Sequence, residues 1–552
     1  MTVSSPPGFT IPDLRTGNDY LARLPLADPV QAAADLQRFF EALQAAPPNL
    51  ETYFLVLEEA RLPLAQIADE LARRYAHKPV PFSEFEEIPF QTVVALWQLA
   101  VRCYAQCGEL TPSHAETPAV QDRRVAALLH RCLWYSGQLI FEHQRAHREY
   151  PWGLWLELHG YYASAEEWAL ATHPVHDPHD PHQTTHCLAA YLAPLLCDMA
   201  GCFNQSSREQ ALTRRWALAW APLVSLQPVL PGEETPTFVI DLMHDTALRP
   251  VAECLRTEHL RRLDTTRLAL QISALRRHLR HKSPSPQHAL CQNYSPLQCS
   301  LLLDTLASPW SQARAPRKYR RHMTTGLSEI CTGFEEMHYY VAGKEFEQPE
   351  NVRTYSRREF ETMFVFRSQD DPQQPLQMRQ VQLGYGLDRW EVVNQSANGF
   401  RLLRSVSGKR MAHGQLLALR PHDGTRFLLA RTTWLMQEKG GGLIAGVQML
   451  PGCPTAIAAR RQDAPPESYG RYERAFLLAS LPGIAESASI ILHPGWFRPG
   501  RVLELFSDGP AQICLTHLLE EGLDYELAAF TPYDPRQEPP SGRSSVEPES
   551  VR

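Results

Sequence analysis

The spacing of apolar residues changes once along this chain, and that change constrains the fold more than any other feature of the sequence. From about Asn18 to Lys282 apolar side chains recur at i, i+3 and i+4, the period of an amphipathic helix. After a proline-rich stretch, KSPSPQHALCQNYSPLQ, they alternate or bunch into short runs bounded by Gly, Asn-Gly or Asp-Gly turns, as antiparallel strands require. The sequence therefore predicts an α+β multidomain protein whose all-α first half is followed by a mainly β second half.

Local signals sharpen this division. Asp28 followed by Pro29 reads as a helix N-cap and first turn, and Pro47-Pro48 stops the segment that follows. Asn49 caps LETYFLVLEEA, and further helices are expected over 90–107, 118–148, 153–172, 186–204 and 207–224. The Trp, Leu and Tyr spacing of WLELHGYYASAEEWAL has the style of a helical repeat, although no fixed period emerges. An irregular helical bundle is the other reading of the same pattern. In the second half, RWEVVN, GFRLLRSV, QLLALRP, RFLLARTTWLM, GLIAGVQML, SASIILHPGW, RVLELFS and DYELAAF read as strands, with helix around 328–341 and 516–521.

These signals divide the chain into a disordered start (1–17), a helical domain (18–282), a linker (283–312), a β domain (313–470), an additional β-rich segment (471–534) and a polar tail (535–552). The start has neither a basic nor an apolar signal region, and every apolar run is broken well short of the ~18 to 20 residues that span a bilayer. Twelve cysteines are scattered with no C-x-x-C pair. Together these features point to the cytoplasm.

Few constellations in this sequence carry chemistry. His173, His176, His179, His182 and His186 interleave with Asp177 and Asp180 and precede Cys187, a set of ligand types that suits zinc. The prolines between them favour a solvated loop, so a metal-dependent enzyme built on His173–Cys187 stands as an alternative reading. His143 and His147 have metalloprotease spacing, but Gln144 stands where the general base belongs. No phosphate loop, nucleophile elbow or dinucleotide fingerprint is present, so no enzyme is expected. The basic stretch from Arg261 to Lys282 carries Leu268, Ile272 and Leu275 at helical spacing, which reads as a packed helix with a charged outer face and not as a nucleic-acid surface.

The net charge of −7 means that affinity for an anion must come from a local patch. Arg314, Arg317, Lys318, Arg320 and Arg321 place five cations within nine residues. The spacing R-x-x-x-R of Arg317 and Arg321 is weak by itself, because 48 arginines in 552 residues give about four such pairs at random. The clustering is what carries information. Downstream, Asn394-Gln395-Ser396-Ala397-Asn398-Gly399 fits [DN]-x-S-x-x-G between two strand-like runs.

With these residues in view, the stretch from about Arg314 to Leu450 resembles the PilZ domain family of small β-barrels that bind cyclic di-GMP. The resemblance rests on the arginine pair ahead of the first strand, on NQSANG, and on RTTWLMQEKGGGLIAGVQML, which is similar to the family's later Trp-containing hairpin. It implies a cyclic di-GMP receptor with a PilZ-like barrel over 313–470, and ligand contacts from Arg317, Arg320, Arg321, Asn394, Ser396 and Gly399. Two features depart from the family pattern. The first motif position is Asn and not Asp, and some 70 residues, more than usual, separate Arg321 from Asn394. Arg353 and Arg357 are the alternative arginine pair. A guanidinium pairs a phosphate bidentately or stacks on a purine, which suits a ligand with two phosphates and two guanines. The helical half is then expected to dock a protein partner. A scaffold with a degenerate, non-binding barrel is the alternative.

Overall fold

The computed structural model describes residues 10–112, 116–177, 184–229, 238–251, 254, 257–281, 290–311, 321–349, 384–405, 408–463, 471–480, 487–507 and 509–533. Two compact units emerge, residues 1–318 with 436–441 and residues 319–435 with 442–552. The expected tail lies outside the described residues, as do residues 1–9 of the expected disordered start, but 14–17 are helical, because Asp13 caps a helix over Leu14–Leu21.

The first unit is mainly helical. Its helices are α1 (Leu14–Leu21), α2 (Pro29–Ala45), α3 (Leu50–Ala72), α4 (Glu84–Glu109), α5 (Pro118–Arg145), α6 (Leu154–Glu167), α7 (Cys187–Met199), α8 (Ser207–Trp220), α9 (Thr266–His281) and α10 (Pro296–Trp310). Asp28 and Asn49 cap α2 and α3 through their side chains, because the first N–H groups of a helix have no partner within it. Pro47-Pro48 follows the end of α2 as the sequence suggests, but other prolines sit within helices. Pro63 lies inside α3 and Pro89 inside α4. An internal proline costs a helix roughly 3 kcal/mol. Leu64, Ile67 and Leu71 bury their side chains beyond Pro63, and that burial offsets the cost. Most helices pack on near neighbours in sequence around a core that includes Phe39, Tyr53, Leu133, Tyr191 and Trp216.

The helical half also contains β structure that its sequence did not reveal. β1 (Val175–His176) and β2 (Thr184–Thr185) form a small ladder. A four-stranded sheet follows, built from β3 (Ser225–Pro228), β4 (Phe238–Asp241), β5 (Arg249–Pro250) and β6 (Leu260–Asp264) in the order β3-β6-β4-β5. The expected linker over 283–312 contains α10. Its prolines do not all break structure: Ser295 is the N-cap and Pro296 sits at the first helical position, where a missing N–H costs nothing. Trp310 at its end is fully buried and donates through Nε1 to Leu196 O at 2.8 Å.

The second unit holds two antiparallel six-stranded barrels. The first consists of β8 (Leu327–Thr332), β9 (Asp388–Ser396), β10 (Gly399–Arg404), β11 (Leu416–Arg420), β12 (Leu428–Gln437) and β13 (Leu443–Met449). Their order β10-β13-β12-β11-β8-β9 is closed by β9 pairing with β10, and the short β7 (His322–Met323) adds to β9. The second barrel is β14 (Pro454–Arg461), β15 (Glu473–Leu478), β16 (Ser489–Leu492), β19 (Glu526–Pro532), β18 (Pro510–Glu521) and β17 (Val502–Phe506), in that closed order. Closure leaves neither barrel a free edge.

Three expectations change here. The domain boundary at 470 falls inside the second barrel, because β14 already belongs to it and only four residues separate β13 from β14. Residues 516–521 are strand and not helix. Register shifts at Leu515/His517 and Leu518/Glu520 break the two-residue alternation of β18, so its apolar spacing imitates a helical one. The other expected helix begins later than the sequence suggests: 327–332 is β8, and α11 (Phe334–Ala342) follows it. The two barrels share a core in which Met337 of α11 packs with Leu416, Leu429, Phe476, Ile491 and Tyr525. His338, also on α11, is buried and its Nε2 lies 3.1 Å from Ile457 O, to which it donates.

Candidate functional site on the first barrel

β9 and β10 form a hairpin whose two connecting residues are Ala397 and Asn398. Ser396 pairs with Gly399 at its mouth. The Ser396 hydroxyl lies 3.1 Å from Asn398 Oδ1 and 3.2 Å from Gly399 O, and Asn398 O accepts from Met449 N at 2.9 Å. The motif therefore secures the turn to itself and to β13. Gly399 is required for close approach and not for a left-handed φ: a Cβ there would stand 2.3 Å from Val447 O. Asn394 stands opposite Arg401, and the register slips immediately beyond that pair, leaving Val393 as the extra residue of a bulge. Bulges re-aim the side chains beside them, which sets Asn394 apart from the regular alternation of β9.

The arginine-rich segment reaches this hairpin through β7. His322 pairs with Gln395 and Met323 with Asn394, so Arg321 enters the sheet one residue before the pairing with the motif strand, and it is exposed. Arg317, Arg320, Arg353 and Arg357 lie outside the described residues. Arg321, Asn394, Ser396 and Gly399 are thus the candidate residues that the fold brings to one end of β9, with β7 on one side of that strand and β10 on the other.

Two further residues complete the surface. Along β10 the side chains of Phe400, Leu402 and Arg404 are buried, and Arg401 alternates to the outer face. Its neighbour on β13 is Gly446, over which the Trp434 indole lies: a Cβ at Gly446 would sit 1.8 Å from Trp434 Nε1. The Arg401 guanidinium is 5.5 Å from the Trp434 ring centroid, within cation–π range. Asn394, Arg401, Gly446 and Trp434 therefore make a continuous polar and aromatic row across β9, β10, β13 and β12. The sequence marked the Trp hairpin but missed Arg401, whose signal is its alternate position two residues after Gly399. Arg404, in contrast, points into the barrel, paired with Asp388 at 2.7 Å and lying 4.8 Å from the Trp390 ring. Burial lowers its pKa despite the Asp388 carboxylate.

A cavity of about 430 Å³ in the same unit is lined by Tyr339, Tyr340, Arg420, Arg426 and Phe427 among others, and by none of the candidate residues.

The metal alternative fares differently. Asp177, one of its proposed ligands, is buried and already bonded to Arg61 at 2.8 Å and Arg131 at 3.1 Å. Cys187 is buried with its thiol on Ala126 O, burial pushes that thiol up to about 12, and His186 caps α7. Among the described residues no three His, Cys, Asp or Glu side chains are grouped to hold a metal, and His179, Asp180 and His182 lie outside them. No helix among the described residues is long and apolar enough to cross a membrane.

Comparison with known proteins places three domain families along the chain in order. Residues 15–231 match the "Cyclic-di-GMP receptor FimW, N-terminal domain", 237–381 the "Cyclic-di-GMP receptor FimW, middle PilZ domain" and 457–533 the "FimW C-terminal beta-barrel domain". The middle match overlaps the stretch that resembles PilZ by sequence over 313–381 and stops before β9. A curated relative, "Cyclic-di-GMP receptor FimW" of Pseudomonas aeruginosa, is 25% identical over 384 residues, covering 62% of this chain and 61% of its own length. The aligned part thus spans less than two thirds of that relative.

Proposed function

The chain belongs to the FimW family, with a PilZ domain as its middle module, and on that premise we propose that it is a cyclic di-GMP receptor without catalysis of its own. The observation that carries this reading is the pairing of β7 with β9, which brings the end of the Arg314–Arg321 segment alongside NQSANG. Arginine forks and short polar groups meeting at one strand suit a ligand with two phosphates and two guanine edges.

In this reading Arg321 approaches a phosphate or a guanine face, with Arg317 and Arg320 just ahead of it, and Arg353 with Arg357 as the other source of guanidinium groups. Asn394 and Ser396 address the ligand from the hairpin, and Gly399 keeps the hairpin tight against β13. The helical unit docks a protein partner, and the protein works in the cytoplasm. Isothermal titration of the full chain with cyclic di-GMP tests the proposal. Saturable binding that Arg321→Ala and Ser396→Ala each weaken by about ten- to a hundredfold supports it, the loss expected for one buried charge-assisted bond. Absence of heat from the folded wild-type chain overturns it and leaves the scaffold reading.

A further inference from the structure

The helical unit contains a cavity of about 330 Å³ beside α5 and α8. Three guanidinium groups line it, those of Arg145, Arg214 and Arg215, against the one carboxylate of Asp69. The partners of these arginines leave positive charge unbalanced. Arg145 pairs with Glu142 at 3.4 Å, but the same Glu142 oxygen also accepts from the buried Tyr75 hydroxyl. Arg215 donates to the Gln292 carbonyl, a neutral group. Arg214 donates to the neutral Gln138 amide and lies 4.5 Å from the Phe141 ring centroid, and among the described residues it has no carboxylate partner.

A cation held this way is costly. Burial and the like charge of Arg145 lower the Arg214 pKa to about 10, although the Glu142 and Asp69 carboxylates act in the opposite direction. The two arginines buried in this unit among the described residues are matched: Arg61 and Arg131 share Glu58 and Asp177. Phe141 and Leu218 supply an apolar wall to the same cavity.

We propose that this cavity is a second anion site, which takes a small organic phosphate with its charged group between Arg145 and Arg214 and its apolar part on Phe141 and Leu218. The guanidinium groups that line the cavity present the planar forks that a phosphate accepts, and they outnumber the carboxylates beside them, Asp69 and Glu142, so an anion is favoured there. The site lies wholly within the helical unit and does not depend on the barrel binding any ligand.

Thermal unfolding and isothermal titration of the full chain test this, with inorganic phosphate and 5′-AMP as probes and chloride at equal ionic strength as the control. Both probes should bind and raise the unfolding temperature, AMP more than phosphate, and Arg214→Gln should weaken AMP binding at least about tenfold, the loss of one charge-assisted bond. Should Arg214→Gln fail to fold, Arg215→Ala at the same cavity should still weaken AMP. Arg321→Ala should bind AMP as the wild type does, which separates this site from the barrel's. Equal effects of chloride, binding of phosphate without AMP, or unchanged AMP affinity in both cavity variants would each overturn the proposal.

Discussion

Arg401 and Asn394 face each other across the β9–β10 pair, one residue before that ladder slips register, and Arg401 reaches past Gly446 to the Trp434 ring. A guanidinium already set against an indole needs little reordering to meet a flat anionic ligand, and preorganisation of this kind raises affinity. Arg401→Ala is therefore expected to weaken cyclic di-GMP binding by about tenfold with little change in thermal stability. The check is a titration paired with a melting curve. An unchanged affinity would restrict the site to β7 and the hairpin.

Gly446→Ala tests the geometry beneath that row. The new methyl would collide with Trp434 Nε1, so the indole has to leave its place. Tryptophan fluorescence should shift toward that of exposed indole, and binding should fall with it. A spectrum identical to wild type would show that Trp434 does not depend on Gly446.

At Gly399 the obstacle is backbone. A side chain there would meet Val447 O, which cannot swing aside as a side-chain tip can. Gly399→Val should cost the barrel roughly 1 to 3 kcal/mol, the usual price of overpacking. Chemical denaturation followed by circular dichroism measures it.

His338 gives the second unit a dependence on pH. Burial between the barrels lowers its pKa to about 4, while the unfolded chain titrates near 6.5. The unfolded state therefore binds more protons between those values, and stability falls as pH drops from about 6.5 to about 4, by up to roughly 3 kcal/mol. His338→Gln should flatten that part of the denaturation profile. A slope unchanged in the variant would assign the effect elsewhere, with His130, lowered to about 3 by burial, as the next candidate.

In the helical unit, Asp177 accepts from both Arg61 and Arg131, whose guanidinium groups are buried. Asp177→Ala leaves two buried cations with Glu58 and should destabilise the chain by about 3 to 5 kcal/mol. A zinc-binding role for this loop would instead predict metal loss at nearly constant stability, so denaturation together with metal analysis separates the two.

Periodicity and capping residues determined much of this protein without the structure. Asp28, Asn49 and the alternation in GFRLLRSV act over a few residues, and local rules read local order. NQSANG and the Trp hairpin were legible for the same reason. Only the tertiary structure decided which strand closes which barrel, that Ser295 and Pro296 start a helix where prolines suggested a linker, and that the bulges of β18 hide a strand inside a helical spacing. It alone set Arg401 against Trp434 and Arg214 against the neutral Gln138 amide. Pairing and burial join residues far apart in the chain, and no window of sequence holds both partners.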